Sequence, residues 1–221
     1  MAGISDYETI VSERTGELTL KGSRFIGISM PCPDEDSIQR NLDAISARWR
    51  DATHYCWAAI VDGSDRRERS SDNGEPSGTA GKPILAVLRG SGLTDAMVIV
   101  VRYFGGTLLG TGGLVHAYTE GAKVALDGVD RVARRACCAY MFHLDYSTYS
   151  AFESKMADLM ACRPECEYTD RVDIRVKVPV ERREEFLRRL SDLSERKARP
   201  IELPDVYVRA CASGLPNPLI L

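Results

Sequence analysis

The chain has 221 residues, 44% of them hydrophobic and 28% charged, with a formal net charge of −3. That length and apolar content suit a soluble globular protein of two small domains or one large one. The negative balance excludes a bulk electrostatic drive toward nucleic acid, so any such contact must come from a local basic patch.

No apolar run approaches the roughly 18–20 residues that a membrane span needs. The start MAGISDYETI lacks the basic and apolar stretches of a secretory signal, so the cytoplasm is the expected location. Cys32, Cys56, Cys137, Cys138, Cys162, Cys166 and Cys211 are odd in number and lack paired short spacings, which fits reduced thiols better than a disulfide framework. Cys162 and Cys166 lack the second Cys or His pair that a structural zinc site requires, so no metal is expected.

In chain order, residues 16–32 alternate apolar and polar positions and read as one or two strands, with Phe25 and Ile28 as core candidates. Residues 33–50 open with acidic side chains and place Ile38, Leu42, Ile45 and Trp49 three or four apart, the pattern of an amphipathic helix. Residues 54–62 return as a strand. The polar stretch 63–79 reads as a long connection, the kind of loop that tends to be functional. Residues 82–90 form a short helix with Pro83 in its first turn, 96–104 a buried strand, and 114–128 a helix closed by Gly128. On that last helix Leu114, Ala117, Gly121 and Val124 make a small-residue face suited to close packing. The first domain, residues 1–130, is therefore expected to be a two-layer α+β sandwich.

A second pattern begins near Cys137. Strand 137–146, helix 147–161, strands 164–170 and 171–180, helix 180–195 and strand 199–210 give βαββαβ order, the ferredoxin-like unit, over residues 137–210.

Candidate function concentrates between Ser71 and Tyr118. Glycines recur there at Gly74, Gly78, Gly81, Gly90, Gly92, Gly105, Gly106, Gly110, Gly112 and Gly113, framing the strand that ends in Arg102. Two glycine-rich loops around one strand suggest a binding surface. Nucleotide-binding motifs fail: GGTLLGT has Thr111 where a P-loop needs lysine, and the third glycine of GxGxxG is missing. His54 and Cys56, two apart on a strand, share one face and raise a thiolate nucleophile, although Cys56 beside Trp57 in an apolar run reads more simply as packing. Asp72 and Glu75, with Ser77 and Thr79, have the chemistry for Mg²⁺ binding or acid/base work, and equally for capping turns. Arg102 either pairs internally with Asp72 or Glu75, or contacts phosphate beside Tyr103. Lys82, Gly105, Gly106 and His116 complete the candidate binding surface. Arg131, Arg134 and Arg135 read as a solvated linker face.

The blocks THYCWA (53–58), SDNGEPSGTAGKP (71–83) and RYFGG with LGTGGLVHAY (102–118) resemble the IMPACT family. The resemblance implies a first domain similar to the second domain of a small-subunit ribosomal protein and to the fourth domain of the translocation elongation factor. It also implies a ferredoxin-like second domain similar to that factor's fifth. Family members in eukaryotes are translation regulators. The chain departs from the family pattern at Leu108, where lysine is usual, at His116, where arginine is usual, and at Asn73. These readings point to a non-catalytic protein without a cofactor that binds RNA, the ribosome or a translation-associated protein. The alternatives are a hydrolase-like enzyme using His54, Asp72, Glu75 and Arg102, and a pure protein-interaction module.

Overall fold

The computed structural model describes residues 5–61 and 66–209. The described residues divide into two compact units, 7–132 and 133–209, the latter joined by residues 5 and 6.

In the first unit, β1 (Tyr7–Ile10) precedes a hairpin of β2 (Arg14–Leu20) and β3 (Ser23–Pro31), followed by α1 (Glu35–Arg48), β4 (His54–Val61) and β5 (Arg67–Ser71). Then come α2 (Gly81–Gly90), β6 (Ala96–Tyr103) and α3 (Gly110–Leu126). The sheet has the order β2-β3-β6-β4-β5, with every neighbouring pair antiparallel. Strand parity decides what each side meets. Phe25, Cys56, Ala58, Ile60, Val98 and Val100 point to one face and form a core with Ile84 and Leu88 of α2 and Ala117, Tyr118 and Ala122 of α3. Ile26, Ile28, Ala59, Val61, Met97 and Ile99 point to the other face, where Ile38 and Ile45 of α1 meet them.

The α+β class is as expected, and α2 and α3 supply the expected second layer. To that two-layer arrangement α1 adds a cover on the opposite face, because the central strands are apolar on both sides. Part of the expected long connection is a strand: β5 pairs with β4, Trp57 opposite Ser71, and its alternation of charged residues suits an exposed sheet edge. Helix α3 starts at Gly110 rather than Leu114, so Gly112 and Gly113 lie in its first turn.

Asp34 caps α1 by accepting from the Ser37 amide at 2.7 Å. Two glycines set the seat of α3 on the sheet: a Cβ on Gly27 of β3 would lie 2.0 Å from the Gly121 carbonyl oxygen. No larger residue allows that approach.

The second unit runs β7 (Arg131–Leu144), α4 (Tyr146–Met156), β8 (Glu165–Tyr168), β9 (Val172–Pro179), α5 (Arg183–Leu193) and β10 (Ile201–Arg209), the βαββαβ order. Its strands lie β10-β7-β9-β8, all antiparallel. Cys138, Tyr140 and Phe142 of β7 pack with Phe152 of α4 and Phe186 of α5. Arg131, Arg134 and Arg135 belong to β7 rather than to a linker. Cys32, Cys56, Cys137 and Cys138 are buried free thiols, while Ala210 and Cys211 fall outside the described residues. Among the described residues no helix is long and apolar enough to cross a membrane.

The glycine contact makes a direct prediction. Gly27→Ala should destabilise the protein by about 1–3 kcal/mol or more, because a backbone carbonyl must move. Gly112→Ala, which meets open space, should leave stability unchanged or raise it by up to about 1 kcal/mol. Urea unfolding of both variants checks this, and a fully stable Gly27→Ala would refute the seating of α3.

Candidate functional site

Arg102 is the second-last residue of β6, and its parity turns it toward α3, where it is 5% exposed. Its Nη1 donates to Glu75 Oε1 at 2.5 Å, with both side chains almost wholly buried. Its Nη2 reaches Ser23 Oγ at 3.4 Å, while its Nε finds no partner among the described residues. The guanidinium carbon stands 5.5 Å from the ring centre of Phe25 and 5.6 Å from that of Phe104, flanked by two aromatic faces. Tyr118, a little over two turns into α3, donates its hydroxyl to Glu75 Oε1 at 2.8 Å. Burial first, and then the neighbouring Cys56 and Glu75, push the Tyr118 phenol up, so it remains a donor.

Glu75 reaches this position because of a turn and a carboxylate. Asn73 and Gly74 both take positive φ, 43° and 85°, as the Asn-Gly pair favours. Asp72 then gathers the following segment: its Oδ2 accepts from the Gly78 amide at 2.8 Å and its Oδ1 from those of Ala80 and Gly81 at 2.9 and 2.8 Å. Burial raises the Asp72 carboxyl, but the three amides outweigh it and hold the group below the usual aspartate value. Asp72 thereby caps α2, whose own N-cap, Ala80, has no side chain for the task.

His54, the first residue of β4, faces the same side. Its Nδ1 lies 2.8 Å from the Asn73 carbonyl oxygen, which only accepts, so Nδ1 carries a proton and donates it there. Nε2 stands 3.9 Å from Glu75 Oε1, beyond hydrogen-bond reach. These groups form the floor of a cavity of about 440 Å³, walled by Thr53, Pro76, Phe104, Leu108, Leu109 and the start of α3. Phe104 and Leu108 are 47% and 84% exposed at its mouth.

Of the sequence candidates, His54, Glu75 and Arg102 meet in this cavity. Asp72 lies behind them, bound to α2 amides, and Arg102 pairs with Glu75 rather than Asp72. Tyr103 does not join them: parity sends it to the α1 face, where it lies under Arg24 at 5.8 Å. The aromatic partner of Arg102 is therefore Phe104. Thr79 is buried, its hydroxyl donating to the Pro76 carbonyl at 2.6 Å, and Ser77 is exposed beside it. Lys82 is exposed at the start of α2, and His116 is exposed on α3 outside the cavity lining. Gly105 has a steric role, since a Cβ there would lie 2.0 Å from the Gly22 carbonyl carbon, and Gly106 makes a turn at φ 82°. Cys56 is fully buried, donates to the Asp72 carbonyl at 2.9 Å and is pushed up to about 12 by burial, so it is a packed thiol and not a nucleophile. The sequence reading missed Tyr118, Ser23 and Asn73 as site residues. The Asn-Gly pair at 73–74, a turn signal, is the feature of the sequence by which Asn73 could have been found.

Two stability tests follow. Arg102→Ala should lower the unfolding free energy by about 3–5 kcal/mol, because it leaves the Glu75 charge buried and unpaired. Asp72→Ala should cost about 1 kcal/mol near neutral pH. The folded Asp72 carboxyl titrates below the unfolded one, so its contribution is complete above the ordinary aspartate range and fades as pH falls through the folded value. The stability gap between wild type and Asp72→Ala, measured by chemical unfolding across that range, should therefore close on acidification. A gap that persists at the acid end would exclude this role.

Comparison with known proteins places this arrangement. The family model described as the Impact N-terminal domain matches residues 21–126, the span that holds the whole cavity. The IMPACT family member YigZ of Escherichia coli is 34% identical over 79% of this chain and 87% of its own. YvyE of Bacillus subtilis, also an IMPACT family member, is 29% identical over 88% of this chain and 90% of its own. A solved crystal structure, described only as that of a hypothetical protein, superposes with a TM-score of 0.67 at 30% identity, covering 91% of this chain and 98% of that one. With its ion-paired cavity inside the matched domain, and relatives that align over most of both chains, the protein belongs to the IMPACT family.

Proposed function

We propose that this protein is a non-catalytic RNA-binding protein of the translation apparatus, and that it engages unpaired RNA at the mouth of the α3 cavity. The observation that carries this reading is Phe104, a half-exposed ring at the end of β6, over a floor whose charges neutralise each other. An exposed ring backed by a fixed guanidinium is a stacking platform, the device by which proteins hold single-stranded nucleic acid. The similarity of the fold to ribosomal-protein and elongation-factor domains, implied by the family resemblance, supports placing the RNA in translation.

The acid/base alternative has little to work with in this geometry. Both Asp72 oxygens accept backbone amides, Cys56 is held as a thiol, and Glu75 is tied by Arg102 and Tyr118. Arg102 cannot reach a phosphate without abandoning Glu75, so the binding is built on stacking and carries few phosphate contacts.

Fluorescence anisotropy with a single-stranded RNA, repeated at several salt concentrations, tests this. Each phosphate contact contributes a slope of about −0.7 for single strands, so a shallow total slope is expected. Phe104→Ala should weaken binding by about 5- to 150-fold, the loss of one stacked base at ~1–3 kcal/mol. Duplex RNA should bind less well, since it keeps its bases stacked internally. No binding to single strands even at low salt would overturn the proposal.

A further inference from the structure

We infer that the second unit carries a zinc site, formed by Cys138 of β7 with Glu202 and Asp205 of β10, which fastens the last strand to its neighbour. The site is independent of the RNA-binding reading above. It begins with an irregularity in strand pairing. Glu202 faces Tyr140 and Leu203 faces Ala139, but Val206 faces Cys137, so the register shifts between Leu203 and Val206. Pro204 and Asp205 therefore lie together opposite Cys138, two residues against one, which is a β-bulge. In an even strand Glu202 and Asp205, three apart, would point to opposite sides of the sheet. The bulge turns Asp205 to the side of Glu202, and the Cys138 sulfur and one carboxylate oxygen of each acid all lie within 4.8 Å of one another.

Cys138 is buried and both acids are exposed, so a soft donor stands beneath two hard ones. That set does not suit magnesium or calcium, which take oxygen ligands, and it suits zinc, which accepts thiolate and carboxylate together. Around tetrahedral zinc, sulfur at about 2.3 Å and oxygens at about 2.0–2.2 Å lie roughly 3.5 Å from one another. Rotation of the two exposed side chains closes that difference. Charge agrees as well. Arg183 donates to Glu202 Oε2 at 3.0 Å, the kind of hydrogen bond that orients a ligating carboxylate while its other oxygen serves the metal. One thiolate, two carboxylates and one guanidinium leave two negative charges, which a divalent cation cancels.

Edge protection accounts for part of the arrangement, because a proline, a bulge and charged side chains all discourage pairing at an outer strand. It does not account for a buried thiol gathered with both acids, nor for Tyr140. The Tyr140 side chain shares the Cys138 face of β7 and is 2% exposed. Cys138, Arg183 and Glu202 are close enough to act on its hydroxyl, yet it completes no hydrogen bond among the described residues. A buried hydroxyl without a partner is rare and points to a missing occupant. A metal-bound water, the usual fourth ligand where zinc has three protein ligands, supplies that partner.

The experiment titrates the full chain, stripped of metal and kept reduced, with Zn²⁺ and with Co²⁺, which takes the place of zinc and reports thiolate ligation as a charge-transfer band in the near ultraviolet. The wild type should bind Zn²⁺, show the Co²⁺ band, and melt at a higher temperature with Zn²⁺ than without it. Asp205→Asn changes an exposed position, so it should fold normally and weaken Zn²⁺ binding by at least the ~10–100-fold that loss of a supporting group costs. Cys138→Ala should lose the Co²⁺ band, whereas the double variant Cys162→Ser with Cys166→Ser should keep it. Should Cys138→Ala fail to fold, the Asp205→Asn titration decides. Absence of Zn²⁺ binding by the wild type, a band that survives in folded Cys138→Ala, unchanged affinity in Asp205→Asn, or a preference for Mg²⁺ over Zn²⁺ would overturn the inference and leave edge protection as the role of the bulge.

Discussion

The buried contact between Arg102 and Glu75 is the interaction around which the first unit is organised. It joins the end of the central strand to a segment 27 residues earlier in the chain, with both side chains shielded from water. Two charges in such a place are tolerable only if each is matched and hydrogen-bonded. Tyr118 supplies the second donor to Glu75, and Phe25 and Phe104 flank the guanidinium. Sheet, loop and long helix therefore meet at one electrostatic requirement, and a change to any of them is felt by the others.

Glycines of the first unit serve this meeting point in different ways. Gly74, next to Asn73, turns the chain so that Glu75 enters the interior while the Asn73 carbonyl holds the His54 ring. Gly105 lets the end of β6 touch the hairpin at Gly22, which brings Ser23 within reach of Arg102. Gly27 lets α3 lie against the sheet, which sets the depth at which Tyr118 stands. Positive φ explains one of these three roles; close backbone approach explains the other two.

The second unit has a core of its own and needs none of this. Its rings pack edge-on and tilted around Phe142, against Phe152 and Phe186, and Asp145 caps α4 through the Thr148 amide. Cys162 and Cys166 line a cavity in that unit, where burial pushes the Cys162 thiol up, so it is held away from thiolate chemistry.

The sequence by itself determined the α+β class, the βαββαβ order of the second unit and the family, because periodicity, turn residues and glycine spacing are local or directly visible in the chain. It also placed His54, Glu75 and Arg102 among the candidates. The tertiary structure alone decided how they combine. Neighbouring residues on a strand face opposite ways, so Tyr103 went to the α1 face and Phe104 to the cavity. The choice of Glu75 over Asp72 as the partner of Arg102 depended on which carboxylate the α2 amides took, and Tyr118 entered the site only through the seating of α3. The hydrogen bond that holds the His54 ring depended on a carbonyl 19 residues away in the chain, a distance that no sequence window spans.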